Sequence, residues 1–338
     1  MPETDARTDE SKLMNQENTV EQSIGRLHWM DALRGVALIT MATYHLTWDL
    51  EFFHYLARGT ASSLPLKIYA RSIASSFLFL AGFSLYLAHG RGVRWPSFWK
   101  RLAKIAVAAL VVTVATFFAM RDEFIYFGIL HNIVAASLIG LLFLRAPPLL
   151  NLAVAAAAIA APIWLHSEMY NVPALYWMGL SESVRRSNDY VPILPWLGPF
   201  LIGISAAQLL IKYRLIGVLA GDRAQKFHLF SWLSTVGRHS LAFYLLHQPI
   251  LIAIVWCIAQ VFPAASPDPA LSYMQSCKAA CAAQQSESFC SSFCGCTLTE
   301  LKSQNLFDVL ERGELDVNND ARVLGMSRQC TRTAQGQE

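Results

Sequence analysis

Charge is what this sequence has least of. Asp, Glu, Lys and Arg together make up 15% of the 338 residues, against roughly 25% in an ordinary soluble domain, and most of them are clustered. That scarcity argues against the two water-soluble domains that the length alone would allow. Basic residues form no stripe interleaved with aromatics, and the formal net charge is only +3, so no nucleic-acid partner is expected. The first residues form no apolar run ending in a small-residue cleavage site, so no cleavable signal peptide is expected. Residues 1–25 instead read as a disordered cytoplasmic lead. Cysteine is absent from the first 256 residues, and no histidine follows His247.

What fills the chain is apolar: 54% of residues are hydrophobic. A bilayer core of about 30 Å needs about 20 mostly apolar residues as a helix. Seven stretches qualify, at 32–53, 72–88, 102–120, 124–144, 147–165, 193–211 and 240–262, while 172–180 is too short to span and fits the interface. The expected fold is therefore all-α, a polytopic membrane helix bundle of about seven transmembrane helices (26–262) with a small cysteine-rich C-terminal tail (263–338). Lys and Arg concentrate in the loops at 89–101 and 212–239, which places those loops in the cytoplasm. The N-terminus is then inside and the tail outside.

Six of the seven cysteines, Cys277, Cys281, Cys290, Cys294, Cys296 and Cys330, lie in that tail. An even number in an oxidising compartment predicts up to three disulfides, with fifteen connectivities open. Two C-x3-C pairs could staple two short helices into a hairpin, because positions i and i+4 share a helix face. A zinc site is the rival, but the tail offers no histidine, and no metal is expected. Cys257, in an apolar span, reads as packing.

Ionisable groups at membrane depth are costly unless they pair or line a wet cavity. In the first span Asp31 and Arg34 are placed to pair, and Gly35 leaves room for a close approach. His45 and Asp49, four apart, share a face; an imidazole oriented by a carboxylate is a general-base arrangement, although a helix-packing hydrogen bond is the plainer explanation. His54, at the outer end of the helix, could serve instead. His131 and Asn132 open the fourth span at a similar depth. Tyr244 and His247 lie in the seventh, where Pro249 can kink the helix. The proline-broken segment 189–203 offers Asp189, Tyr190 and Trp196 as an outer wall. On the cytoplasmic side Arg34, Arg101 and Lys104 are placed to meet phosphates, though most basic loop residues need no role beyond topology.

The segments RLHWMDALRGVALITMATYHLTWDL (26–50), FLFLAGFSLYL (77–87), YFGILHNIV (126–134), DYVPILPWLGPFLIGI (189–204) and VGRHSLAFYLLHQPIL (236–251) together resemble the heparan-α-glucosaminide N-acetyltransferase catalytic-domain family, especially its bacterial members. The last also resembles the closing helix of the broader membrane acyltransferase group. The resemblance implies transfer of an acetyl group from cytosolic acetyl-CoA to a glycan or amino-sugar acceptor, by a multi-pass protein of the bacterial inner membrane; the tail, which it does not cover, is expected in the periplasm from the loop charges. Its catalytic histidine corresponds to His45 or His54. Acyl-CoA, the acceptor and the bilayer are the partners implied; self-association into a homo-oligomer stays open. A transporter or flippase for a small polar or lipid-linked solute is the rival function, since intramembrane His and Asp also serve proton relays. Against it, the two halves of the chain show no inverted repeat.

Overall fold

The structure is a computed structural model and describes residues 28–57, 59–215, 228–264, 268–282, 285–317 and 320–336. The expected N-terminal lead lies outside the described residues. These fall into two compact units, one within Met1–Trp48 and Ala61–Ile254, the other within Asp49–Thr60 and Val255–Glu338. Every regular element among them is helical, apart from an isolated bridge between Phe127 and Tyr190.

The first unit contains α1 (His28–Phe52, whose last turn belongs to the second unit), α2 (Leu64–His89), α3 (Trp95–Ala119), α4 (Ile129–Phe143), α5 (Pro148–Leu165), α6 (Ile193–Lys212), α7 (His228–Arg238) and most of α8 (Ser240–Val261). Proline in the first turn starts α2, α3 and α5, where a missing N–H costs nothing and φ is already helical. Five of these helices, α2, α3, α5, α6 and α8, are long and apolar enough to cross a membrane. The other two expected spans differ in instructive ways. Helix α1 has the length, at 25 residues, but carries Asp31, Arg34, Asp49 and Glu51. Helix α4 has only 15 residues, about 22 Å at 1.5 Å per residue, because residues 124–128 ahead of it are not helical. There Val191 N–H donates to the Phe127 carbonyl at 3.0 Å. The short run expected at the interface forms a 3-10 helix, Pro173–Met178.

Large apolar side chains cover the outside of the bundle: Val107, Leu110 and Phe118 on α3, Leu149, Ile163 and Trp164 on α5, Leu246, Ile250 and Ile254 on α8 are all exposed. An apolar surface of that extent suits hydrocarbon, not water. Inside, α6 is the central helix, packed most extensively against α2 and α5, with Phe200, Leu201 and Ile204 fully buried. Its crossing with α2 is reciprocal. A Cβ at Gly82 would overlap the Phe200 carbonyl, and one at Gly203 would overlap that of Phe79, so small residues let the two backbones touch.

The second unit contains α9 (Pro269–Cys281), α10 (Glu287–Ser303), α11 (Phe307–Glu311) and α12 (Ala321–Gln335). Side chains of Asp268, Ser286 and Asp320 cap α9, α10 and α12 by accepting from backbone N–H groups of the first turn. Three disulfides tie the helices. Cys277–Cys294 and Cys281–Cys290 join α9 to α10 as a hairpin, and Cys296–Cys330 fastens α12. Leu301, Leu306, Phe307, Met326 and Cys330 form its small core. Cys257 is free and exposed, so the packing role expected for it is corrected: its face of α8 points outward.

Candidate functional site

Five helices of the first unit converge on a cavity of about 460 Å3, within the roughly 300–1,000 Å3 typical of small-molecule sites. Most of its wall is apolar, from Leu38 on α1, Phe77 and Leu80 on α2, and Ile129 and Ile133 on α4. Polar groups are few. Arg34 and Arg101 enter from α1 and α3, Ser84 from α2, and Ser240 and Tyr244 from α8.

Arg34 is fixed by its neighbours. One guanidinium nitrogen donates to Asp31 Oδ1 at 3.0 Å and the other to Ser84 Oγ at 2.6 Å. Asp31 is buried, so the pairing expected from the spacing of three is present. Arg101 reaches the same cavity and has no hydrogen-bond or ion-pair partner among the described residues. Two guanidinium groups thus line one cavity, only one of them paired with a carboxylate, and an anion entering here would meet unspent donors. Lys104 is exposed and does not line the cavity. Gly35 serves packing: a Cβ there would overlap the Leu233 carbonyl of α7, and Gly237 is equally tight against the Asp31 carbonyl.

Tyr244 lines the same cavity from α8. Its hydroxyl donates to Asp189, whose Oδ2 also accepts the Ile129 N–H at 2.9 Å. Asp189 therefore caps the start of α4, supplying from a distant segment the acceptor that the sequence around Gly128 lacks. Burial pushes its carboxyl up to about 6, against the opposing pull of the Ile129 N–H and the Tyr244 hydroxyl. Asn132 is fully buried and ties the lead-in of α6 to α4, its amide donating to the carbonyls of Val191 and Pro192 at 3.0 and 2.7 Å. Tyr190 donates to the Tyr176 carbonyl at 2.7 Å. Trp196 packs against the core of the bundle.

The histidines separate into distinct environments. His45 is partly buried and meets the ring of His247, with centroids 5.0 Å apart and planes at 65°. His247 is buried, stacks on Phe243, and has Nδ1 2.7 Å from the Tyr244 carbonyl. Neither lines the cavity itself; they stand one turn beyond Tyr244, which does. His131 is engaged elsewhere. Its Nδ1 accepts the Gly128 N–H at 3.2 Å, which leaves Nε2 to donate to Thr113 Oγ1 at 3.2 Å. Those bonds fasten α4 to α3 and do not bring His131 to His45. Asp49, one turn beyond His45 on α1, is fully buried and belongs to the second unit. His54 lies past the end of α1, exposed, with φ 65°.

Ser84 is the cavity residue that the sequence concealed. A serine in an apolar helix ordinarily bonds its own backbone, and this one does donate to the Leu80 carbonyl. Nothing in its spacing reveals that it also receives Arg34.

A search of the curated proteins and one of the solved structures find no match. The model of the family described as heparan-alpha-glucosaminide N-acetyltransferase, catalytic, matches residues 26–249, a stretch that includes every residue lining the cavity and stops short of the cysteine-rich tail. The family is one of membrane acetyltransferases, and the apolar helices fit a multi-pass membrane protein. By this match over most of its length, the chain belongs to the heparan-alpha-glucosaminide N-acetyltransferase catalytic family.

Proposed function

We propose that this protein transfers an acetyl group from acetyl-CoA to an amino-sugar or glycan acceptor within the membrane. The observation that carries the reading is Arg101, a guanidinium without a partner among the described residues, beside the braced Arg34 at one end of a largely apolar cavity. Phosphate oxygens suit those donors, and the apolar wall suits the arm that bears the thioester. His45 takes the acceptor's proton as the new bond to the acetyl carbon forms. Tyr244, whose O–H donates to Asp189, presents its oxygen lone pairs to the N–H or O–H of the acceptor. His54 and His131 are the alternative bases, and Asn132 keeps the α6 lead-in in place. The Lys and Arg of loops 89–101 and 212–239 favour a cytoplasmic Arg34 end, and three disulfides suit a tail on the oxidising side.

The test is transfer of radiolabelled acetyl from acetyl-CoA to glucosamine by the purified full chain in lipid nanodiscs. Arg101→Ala should raise the KM for acetyl-CoA about tenfold or more, as loss of a charge-assisted hydrogen bond of roughly 1.5–3 kcal/mol implies. His45→Ala should lower kcat by roughly 10²–10⁴ with membrane insertion intact. Should wild type neither bind acetyl-CoA nor move the label, the transporter reading takes its place. Undiminished transfer by His45→Ala would hand the base role to His54 or His131.

A further inference from the structure

The pair of histidines between α1 and α8 has a defined protonation pattern. A carbonyl oxygen only accepts, so the 2.7 Å contact with the Tyr244 carbonyl puts the proton of His247 on Nδ1. In the neutral ring Nε2 is then a bare lone pair. That atom is buried and has no hydrogen-bond partner among the described residues. Phe243 stacks parallel to the ring, 4° between planes, and fixes its orientation. The neighbouring titratable ring is His45, at 5.0 Å. A lone pair left without a donor and braced on its other side is organised to receive a proton.

We propose that His247 is a positioning residue that acts through His45 by receiving its proton during acetyl transfer; this rests on the reading above. As the acceptor nitrogen or oxygen attacks the thioester carbonyl, its bond to carbon forms, the carbon–sulfur bond breaks, and sulfur leaves with the electron pair. The acceptor's proton passes to the bare nitrogen of His45, whose other nitrogen gives its proton to Nε2 of His247. The proton then returns through His45 to the thiolate, and both rings end neutral.

Two substitutions separate this role from a structural one. His247→Asn keeps a donor near the Nδ1 position and removes the acceptor at Nε2; His247→Gln places an amide oxygen near the Nε2 position. In the glucosamine assay, His247→Asn should lower kcat at least 30-fold with the KM for acetyl-CoA within twofold of wild type and an unchanged thermal melt. His247→Gln, whose amide oxygen accepts a hydrogen bond but not a proton, should not recover that loss. Wild-type kcat in His247→Asn, or losses that follow KM or folded fraction alone, would overturn the proposal. A second measurement is independent of turnover: nitrogen NMR of histidine-labelled protein should show an unprotonated nitrogen that vanishes in His247→Asn and shifts in His45→Gln. A protonated Nε2, or one indifferent to His45→Gln, overturns the pairing even if the enzyme is active. Inactive wild type with that NMR pattern would instead remove the acetyl-transfer reading alone.

Discussion

The two units solve the same problem with opposite means. In the bundle, helices are held by close backbone approach at Gly82 and Gly203, by buried polar ties such as Asn132 and Asp189, and by interlocking apolar side chains around α6. Its six cavity-forming and central helices α1 to α4, α6 and α8 carry no disulfide. The tail has three, around two small buried clusters of five and three residues. The difference follows from the solvent. Hydrocarbon outside the bundle removes the hydrophobic force between helices, so packing and internal hydrogen bonds must hold them. A small domain surrounded by water would keep that force but have too little core for it to suffice, and covalent links would fill the deficit.

The largest expected break in this comparison is covalent. Cys296–Cys330 closes the longest loop, 34 residues, against 17 and 9 for the other two. Chain-entropy arguments give about 4 kcal/mol for it, about 3 for Cys277–Cys294 and about 2.5 for Cys281–Cys290. Cys296→Ala with Cys330→Ala should therefore lower the tail's resistance to proteolysis more than either other double replacement. Limited proteolysis read by mass spectrometry ranks the three. A bundle whose thermal melt also collapses under reductant would show that the division of labour is wrong.

How far sequence could take this reading is plain from individual residues. Asp31 and Arg34 were legible because a separation of three on a helix brings them together without help from other elements. The disulfide hairpin was legible for the same local reason, two C-x3-C faces, although the pairing itself was not. Arg101 stood out as a charge at the edge of an apolar run. What the sequence leaves hidden depends mostly on tertiary partners. The apolar run at 124–128 looks helical until Phe127 pairs with the segment at 190–191. The role of Ser84 depends on Arg34, and the engagement of His131 depends on Thr113. Tyr244 is joined to Asp189 by a fold that periodicity cannot foresee. Conversely, the face of Cys257 was misread because an apolar span in lipid carries its hydrophobic residues outward as well as inward.

A smaller effect should come from the α2–α6 crossing. Gly82→Ala places a methyl group where the Phe200 carbonyl now sits, and overpacking of this kind costs about 1–3 kcal/mol. The thermal melt of the bundle in detergent should fall. Leu271→Ala in the tail, where the side chain is exposed, should change stability by no more than about 0.5 kcal/mol. An unaffected Gly82→Ala variant would mean that α2 and α6 can separate freely, and the contrast between close approach and covalent linkage would lose one of its terms.

The smallest effect sharpens the comparison through pH. Burial raises the Asp189 carboxyl to about 6 from an ordinary 3.8, so between those values the folded chain binds more protons at this site than the unfolded one. The stability contributed by the protonated form is complete below pH 4 and is lost as pH rises through 6. Asp189→Asn fixes the neutral state and should flatten that segment of the stability profile, while leaving an acceptor oxygen for the Ile129 N–H. The tail supplies the control, because Asp320 is held at about 2 chiefly by its hydrogen bonds from Arg322 and titrates below this window. Melting temperatures of wild type and Asp189→Asn from pH 4 to pH 7 should therefore converge at the acid end and part as pH rises, with wild type the lower. Parallel curves across that range would mean that the carboxylate of Asp189 is accommodated by its two donors as readily as by water, and the capping of α4 would then require no proton.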